Sequence, residues 1–143
     1  MIDLYPKTCN LCGGRVEFTS NAIIYGREYG SGKCYRCTEC GAYVGTHSPR
    51  PKEALGILAN VQMRSMKMAC HALFDAQWKG KPSKGANKNP RVKAYRRLAR
   101  RLGISEDECH FGWFDLDMLH KAYSILSEEA TAHELAERGR GET

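Results

Sequence analysis

Two six-residue stretches, CNLCGG at Cys9–Gly14 and CTECGA at Cys37–Ala42, share one spacing and a glycine directly after the second cysteine. Two residues between cysteines let both sulfurs reach one tetrahedral ion, and the glycine permits the left-handed turn that points backbone N–H groups at sulfur. Twenty-four residues lie between Cys12 and Cys37, enough for a hairpin that returns the second pair to the first, as in a zinc ribbon. The expected ligands are Cys9, Cys12, Cys37 and Cys40, holding one structural Zn²⁺. Four thiolates leave no open coordination position, so such a metal stabilises and does not activate water.

Cys34 complicates the second pair. Cys34, Cys37 and Cys40 are evenly spaced, and the ligands are also readable as Cys34 and Cys37. Only Cys37 with Cys40 carries the following glycine, Gly41, which favours that pair and leaves Cys34 as a strand residue or spare thiol. The spacing admits iron as well as zinc, zinc being the commoner occupant in cells. Seven cysteines, five of them within residues 9–40, fit reduced thiolates on a metal better than disulfides. Two matched turns also argue against a redox pair, which needs one exposed CxxC.

Outward from the cysteines, β-prone runs at Arg15–Thr19, Ala22–Tyr25 and Ala42–Thr46 are separated by turn signals at Ser20-Asn21 and Gly30-Ser31-Gly32. Residues 1–48 therefore read as a zinc-ribbon module with a short antiparallel sheet, too small to fold without its metal. Pro49 and Pro51 mark a boundary. Residues 49–78 are expected to form a helix packed on the ribbon, capped by Asn60, with Met63, Met66, Cys70, Leu73, Phe74 and Trp78 as its apolar stripe. Residues 79–89 read as an exposed basic loop. The helical C-terminal part, 90–138, opens at Asn89-Pro90, turns Val92, Tyr95, Leu98, Ala99 and Leu102 inward, and breaks at Gly103. Ser105 with Glu108 forms a capping box, and Asp115 caps a last helix whose Leu119, Ala122, Tyr123 and Leu126 face inward. That helix is expected to fray beyond Glu134, with 139–143 as a tail. The fold class is α+β, a zinc ribbon followed by about three α-helices.

Charge points to a partner. The 143 residues carry a formal +6, but residues 1–105 hold 19 Lys and Arg against 6 Asp and Glu, and residues 106–143 hold 3 against 10. Lys79, Lys81, Lys84, Lys88, Arg91, Lys93, Arg96, Arg97, Arg100 and Arg101 follow one another with no intervening acid. Such a face suits the phosphate backbone of DNA or RNA, or alternatively an acidic host protein, or else is a solvated helix face that serves solubility. In the ribbon, Tyr25 and Arg27, with Tyr29, Tyr35, Arg36 and Tyr43, supply the aromatic and guanidinium groups that stack bases, or else pack the ribbon. His47, His71, His110 and His120 lack partners at ligand spacing and read as buried or capping residues. No GxSxG, P-loop or dinucleotide motif is present, so neither an enzyme nor a small-molecule substrate is expected. No run approaches the roughly 18 apolar residues of a membrane span, and the first residues lack a secretory pattern, so the expected compartment is the cytosol.

The ordered strings CxxCGG, IYGREYG, CxxCGAYVGTH, GxLAN, AxHALFDAQWK, AYRRLARRLGI and ECHFGWFD resemble the zinc-finger-containing domain family of unknown function found in bacteriophage and bacterial genomes, over about residues 7–126. The resemblance implies zinc at Cys9, Cys12, Cys37 and Cys40 and a small helical part, with no established activity. Cys34 departs from the family's pattern, which tends to place an aromatic residue near that position. A phage setting, with its host's cytosol as compartment, would add a second function, that of a protein-binding inhibitor or adaptor docking on a host protein or defence complex.

Overall fold

The computed structural model describes residues 3–81 and 89–141, with side chains to residue 136. Three short strands, β1 (Val16–Ser20), β2 (Lys33–Cys37) and β3 (Tyr43–Gly45), form one antiparallel sheet in that order. Val16 lies opposite Cys37, and Arg36 opposite Tyr43, so the register sets both ends of the second cysteine turn against the sheet. The helices are α1 (Ala22–Tyr25), α2 (Val61–Ala76), α3 (Pro90–Leu102) and α4 (Leu116–Gly141), with single 3₁₀ turns at Glu106–Glu108 and Phe111–Trp113. The fold is α+β, as the sequence indicates. Among the described residues no helix is long and apolar enough to cross a membrane.

Two elements of the ribbon differ from expectation. Ala22–Tyr25 is a helical turn, not a strand. The Ser20 hydroxyl accepts the Ala22 N–H (3.2 Å), the Asn21 carbonyl accepts those of Ile24 and Tyr25, and the buried Asn21 side chain clasps Tyr29. Local polar bonds of this kind compete with extended pairing and override the β propensity of Ile-Ile-Tyr. The strand that pairs with both neighbours is instead β2, hidden in the sequence because KCYRC reads as a ligand segment.

The chain forms two compact units. The first comprises Met1–Ser65 and Gly112–Asp115. Beyond β3 the chain turns back and runs along the sheet: Leu55 N–H donates to the Gly45 carbonyl (2.9 Å), and Tyr43 and Ala59 exchange both backbone bonds (3.2 and 3.0 Å). Cys9, Tyr35, Cys37, Ala42, Val44, Ala54 and Leu58 form its core. Gly56 meets Gly112 backbone to backbone; a Cβ at Gly56 would come within 2.0 Å of the Gly112 oxygen, and that oxygen accepts the Ile57 N–H (2.9 Å).

The second unit comprises Met66–Phe111 and Leu116–Thr143. Among its described residues Cys70 and Phe74 of α2, Ala94, Leu98 and Ala99 of α3, Cys109 and Phe111, and Leu119, Ala122 and Leu126 of α4 are buried. Phe74 sits between the rings of Tyr95 (4.4 Å) and Phe111 (5.5 Å). Local signals hold: Asn89 Oδ1 accepts the Arg91 N–H (2.9 Å), which is worth about 1 kcal/mol, and the Gly103 N–H closes α3 on Ala99 and Arg100. The Asn60 cap at Met63 N–H (2.9 Å) and the Ser105 hydroxyl accepting the Glu108 N–H (3.3 Å) are likewise present. Tyr123, expected inside, is 40% exposed. α4 stays helical to Gly141 where fraying beyond Glu134 was expected. The basic-loop expectation for 82–88, and the tail at 142–143, lie outside the described residues.

Candidate metal centre and nucleic-acid interface

The two cysteine turns are built alike. Cys9 N–H donates to the Gly14 carbonyl (2.8 Å) and Gly13 N–H to the Cys9 carbonyl (3.0 Å); in the second turn Cys37 N–H donates to Ala42 (2.8 Å) and Gly41 N–H to Cys37 (3.1 Å). Gly13 and Gly41 sit at φ +77° and +79°, the left-handed conformation the sequence predicts. The turns thereby aim N–H groups at sulfur: Leu11 at Cys9 (3.3 Å), Gly14 at Cys12 (3.3 Å), and Glu39 and Cys40 at Cys37 (both 3.4 Å).

All four Sγ atoms of Cys9, Cys12, Cys37 and Cys40 lie within 4.8 Å of one another. The close pairs cross between turns, Cys9 with Cys40 at 3.7 Å and Cys12 with Cys37 at 3.4 Å. A tetrahedral zinc site with Zn–S bonds of about 2.3 Å places its sulfurs about 3.8 Å apart, so the set fits one structural zinc ion. Electrostatics agree. The N–H groups of Cys40 and Glu39 pull the Cys37 thiol down to about 6. Cys12, despite the lowering effect of the Gly14 N–H, is driven up to about 12 by the neighbouring Cys37 sulfur. Sulfurs this close cannot all carry charge without a cation among them.

Cys34 takes no part. It is buried on β2 opposite Thr19 and Gly45, outside the sulfur cluster. The alternative pairing of Cys34 with Cys37 is thereby set aside. Two supporting residues escaped the sequence reading. Asn10, between the first two ligands, accepts the Leu58 N–H (2.9 Å) and donates to the Leu58 carbonyl (3.0 Å), bolting the first turn to the returning segment. Gly14 faces sulfur so closely that a Cβ would stand 3.0 Å from Cys37 Sγ and 3.1 Å from Cys12 Sγ. The doubled glycine of CNLCGG, against the single one of CTECGA, is the only sequence trace of that second role. Asn10 left none, because its partner is a backbone 48 residues away.

The cationic residues divide. On α3, Arg97 is held by Glu129 of α4 (2.9 Å) and by Gln77 (2.6 Å), Arg101 by Glu128 (2.9 Å) and Arg96 by Glu106 (3.1 Å). Lys79 pairs with Asp75 (3.6 Å). Arg91 lies over the rings of Tyr95 (5.0 Å) and Trp78 (5.7 Å). Lys81, Lys93 and Arg100 are exposed and make no ion pair with a described residue. Lys84 and Lys88 lie outside the described residues. Arg97 and Arg101 read as free cations because carboxylates on α4 are remote in sequence.

In the ribbon, Tyr25 is exposed, Arg27 lies over the Tyr29 ring (4.6 Å) and Arg64 over that of Tyr43 (4.1 Å). Tyr35 is buried, its hydroxyl donating to the Lys52 carbonyl (2.6 Å), so it packs the core and is no stacking surface. His71, His110 and His120 are exposed, not buried; His71 leans on Phe111 (4.7 Å) and His110 on Tyr95 (6.0 Å). Among the described residues the four cysteines are the only cluster able to hold a metal ion.

Neither the curated proteins nor the solved structures offer a match to this chain. The zinc-finger-containing domain family, of unknown function, matches residues 5–129. With that span and this sulfur geometry, the chain belongs to the zinc-finger-containing domain family.

Proposed function

We propose that the protein is a non-catalytic structural-zinc module that binds nucleic acid, with the outward cations of α3 contacting phosphate. The observation that carries this reading is the division among the cations of α3. Once α4 and the 106–108 turn have neutralised Arg96, Arg97 and Arg101, Arg91, Lys93 and Arg100 still point outward without a described carboxylate partner. Lys93 and Arg100, two turns apart, share one face of α3, and no acid lies between residues 76 and 105. A row of this kind tracks phosphates without reading base edges, so low sequence specificity is expected.

The test is a salt titration of binding to duplex and single-stranded DNA and RNA by fluorescence anisotropy, using the zinc-loaded chain. Affinity should fall steeply with salt. Reversing Arg91, Lys93 and Arg100 to Glu should abolish binding while zinc content stays at one per chain. Each phosphate that is no longer neutralised flattens the log–log slope by about 0.7 to 0.9. No salt-dependent binding to any of these ligands at low ionic strength overturns the reading, and the cationic face then falls to an acidic protein partner.

A further inference from the structure

In the zinc-binding unit, away from the sulfurs, an open groove of about 500 Å³ is lined by Asn21, Tyr25, Tyr29, Ser31, Thr46 and Leu55, among others. That volume lies within the ~300–1,000 Å³ of ligand clefts. Tyr25 and Tyr29 are 51% and 48% exposed, so much of each ring remains open to solvent. Tyr25 stands perpendicular to Tyr29 (centroids 5.5 Å, 90°) and to Tyr43 (6.4 Å, 88°). The arrangement is held from behind. Asn21, itself buried, donates to the Tyr29 carbonyl (2.8 Å) and accepts the Tyr29 N–H (3.1 Å), while α1 and its closing bond from Gly26 to Ala22 set Tyr25. The lining is polar as well as aromatic: Lys33 lines the groove, and the Ser31 and Thr46 hydroxyls bond each other. Beyond the lining, Arg27 lies over Tyr29 and Arg64 over Tyr43. Glu28 lies over Gly32.

Half-exposed tyrosine rings, hydroxyls and the Lys33 ammonium around a groove match the chemistry of an unpaired nucleobase with its phosphate. A base inside a duplex has both faces covered by its neighbours and cannot use such a site. We propose that this groove stacks one unpaired base of a single-stranded nucleic acid. The proposal rests on the nucleic-acid reading above and gives it strand selectivity.

The test uses single-stranded DNA and RNA carrying 2-aminopurine, and matched duplexes, with the zinc-loaded full chain. Binding to the single strands should change 2-aminopurine fluorescence, as stacking on Tyr25 or Tyr29 requires. Replacing both by Ala should weaken single-strand binding about 5- to 100-fold per stacked base, with the salt slope and duplex affinity unchanged. Tyr25→Phe with Tyr29→Phe should restore it. If the Ala variant loses zinc, Tyr25→Leu with Tyr29→Leu keeps bulk while removing the rings. Equal losses on duplex and single strand, or no loss at all, overturn the proposal. In that event the broader reading still stands, since only failure of the wild-type chain to bind any nucleic acid removes both.

Discussion

Asn10→Ala should destabilise the zinc-loaded protein by about 2 to 4 kcal/mol although it touches no ligand. The Asn10 amide makes two bonds to one residue, accepting from Leu58 N–H at 2.9 Å and donating to Leu58 O at 3.0 Å. Each such bond contributes about 0.5–1.5 kcal/mol net, and a buried group left without a partner costs about 1–3 kcal/mol. Leu58 is fully buried, so both its backbone groups are left facing the gap, while Asn10 itself is exposed and water can enter from that side. Two lost bonds plus one orphaned group sum to about 2–6 kcal/mol, and partial hydration keeps the total in the lower half of that range. Urea unfolding of wild type and variant at fixed excess zinc, followed by circular dichroism, measures the difference. Asn10→Asp retains the acceptor for Leu58 N–H but sets a carboxylate oxygen against Leu58 O, and should be no better than Ala. A cost under about 0.5 kcal/mol for Asn10→Ala would show that the first cysteine turn does not depend on the returning segment.

Other outcomes follow from the same geometry. Elemental analysis should find one zinc per chain in wild type and in Cys34→Ser, and less than stoichiometric metal in Cys40→Ser; the reverse would make Cys34 the ligand. Gly41→Ala, at φ +79°, should cost about 1–2 kcal/mol and loosen zinc, seen as faster transfer to a colorimetric chelator. Thiolates are the ligands, so acidification should release zinc and zinc uptake should release protons, both measurable in weakly buffered solution. Cys70 and Cys109 are buried and pushed up to about 11 by that burial. After chelation a maleimide should label the five ribbon cysteines and spare these two, as peptide mass mapping would show. Glu128→Gln with Glu129→Gln frees Arg101 and Arg97, and should tighten nucleic-acid binding and steepen its salt slope if the proposed function holds.

The metal centre and the class of fold were legible in the sequence because both rest on local chemistry. A CxxCG turn carries its geometry within six residues, and Asn60, Asn89, Gly103 and Ser105 act on groups within a few positions. What could not be read depends on remote partners. Ala22–Tyr25 has strand-like side chains, but Asn21 and Ser20 satisfy its backbone locally and Asn21 ties it to Tyr29. The run of ten cations says nothing of Glu128 and Glu129, which reach Arg101 and Arg97 only once α3 and α4 have packed. Tyr35 and Tyr25 look alike in composition, and only the sheet decides that one is buried and the other open.

Gly112 bears on how this molecule is made. It belongs to the zinc-bearing unit, where its oxygen receives Ile57 N–H and its bare Cα admits Gly56, yet it is translated some seventy residues after the last metal ligand. On the ribosome the cysteines can capture zinc early, while the Gly56 turn waits uncovered for a piece that emerges late. Trimming the gene to its finger alone would therefore yield a metal-loaded but unfinished ribbon, and the shortest self-sufficient version must extend through Asp115.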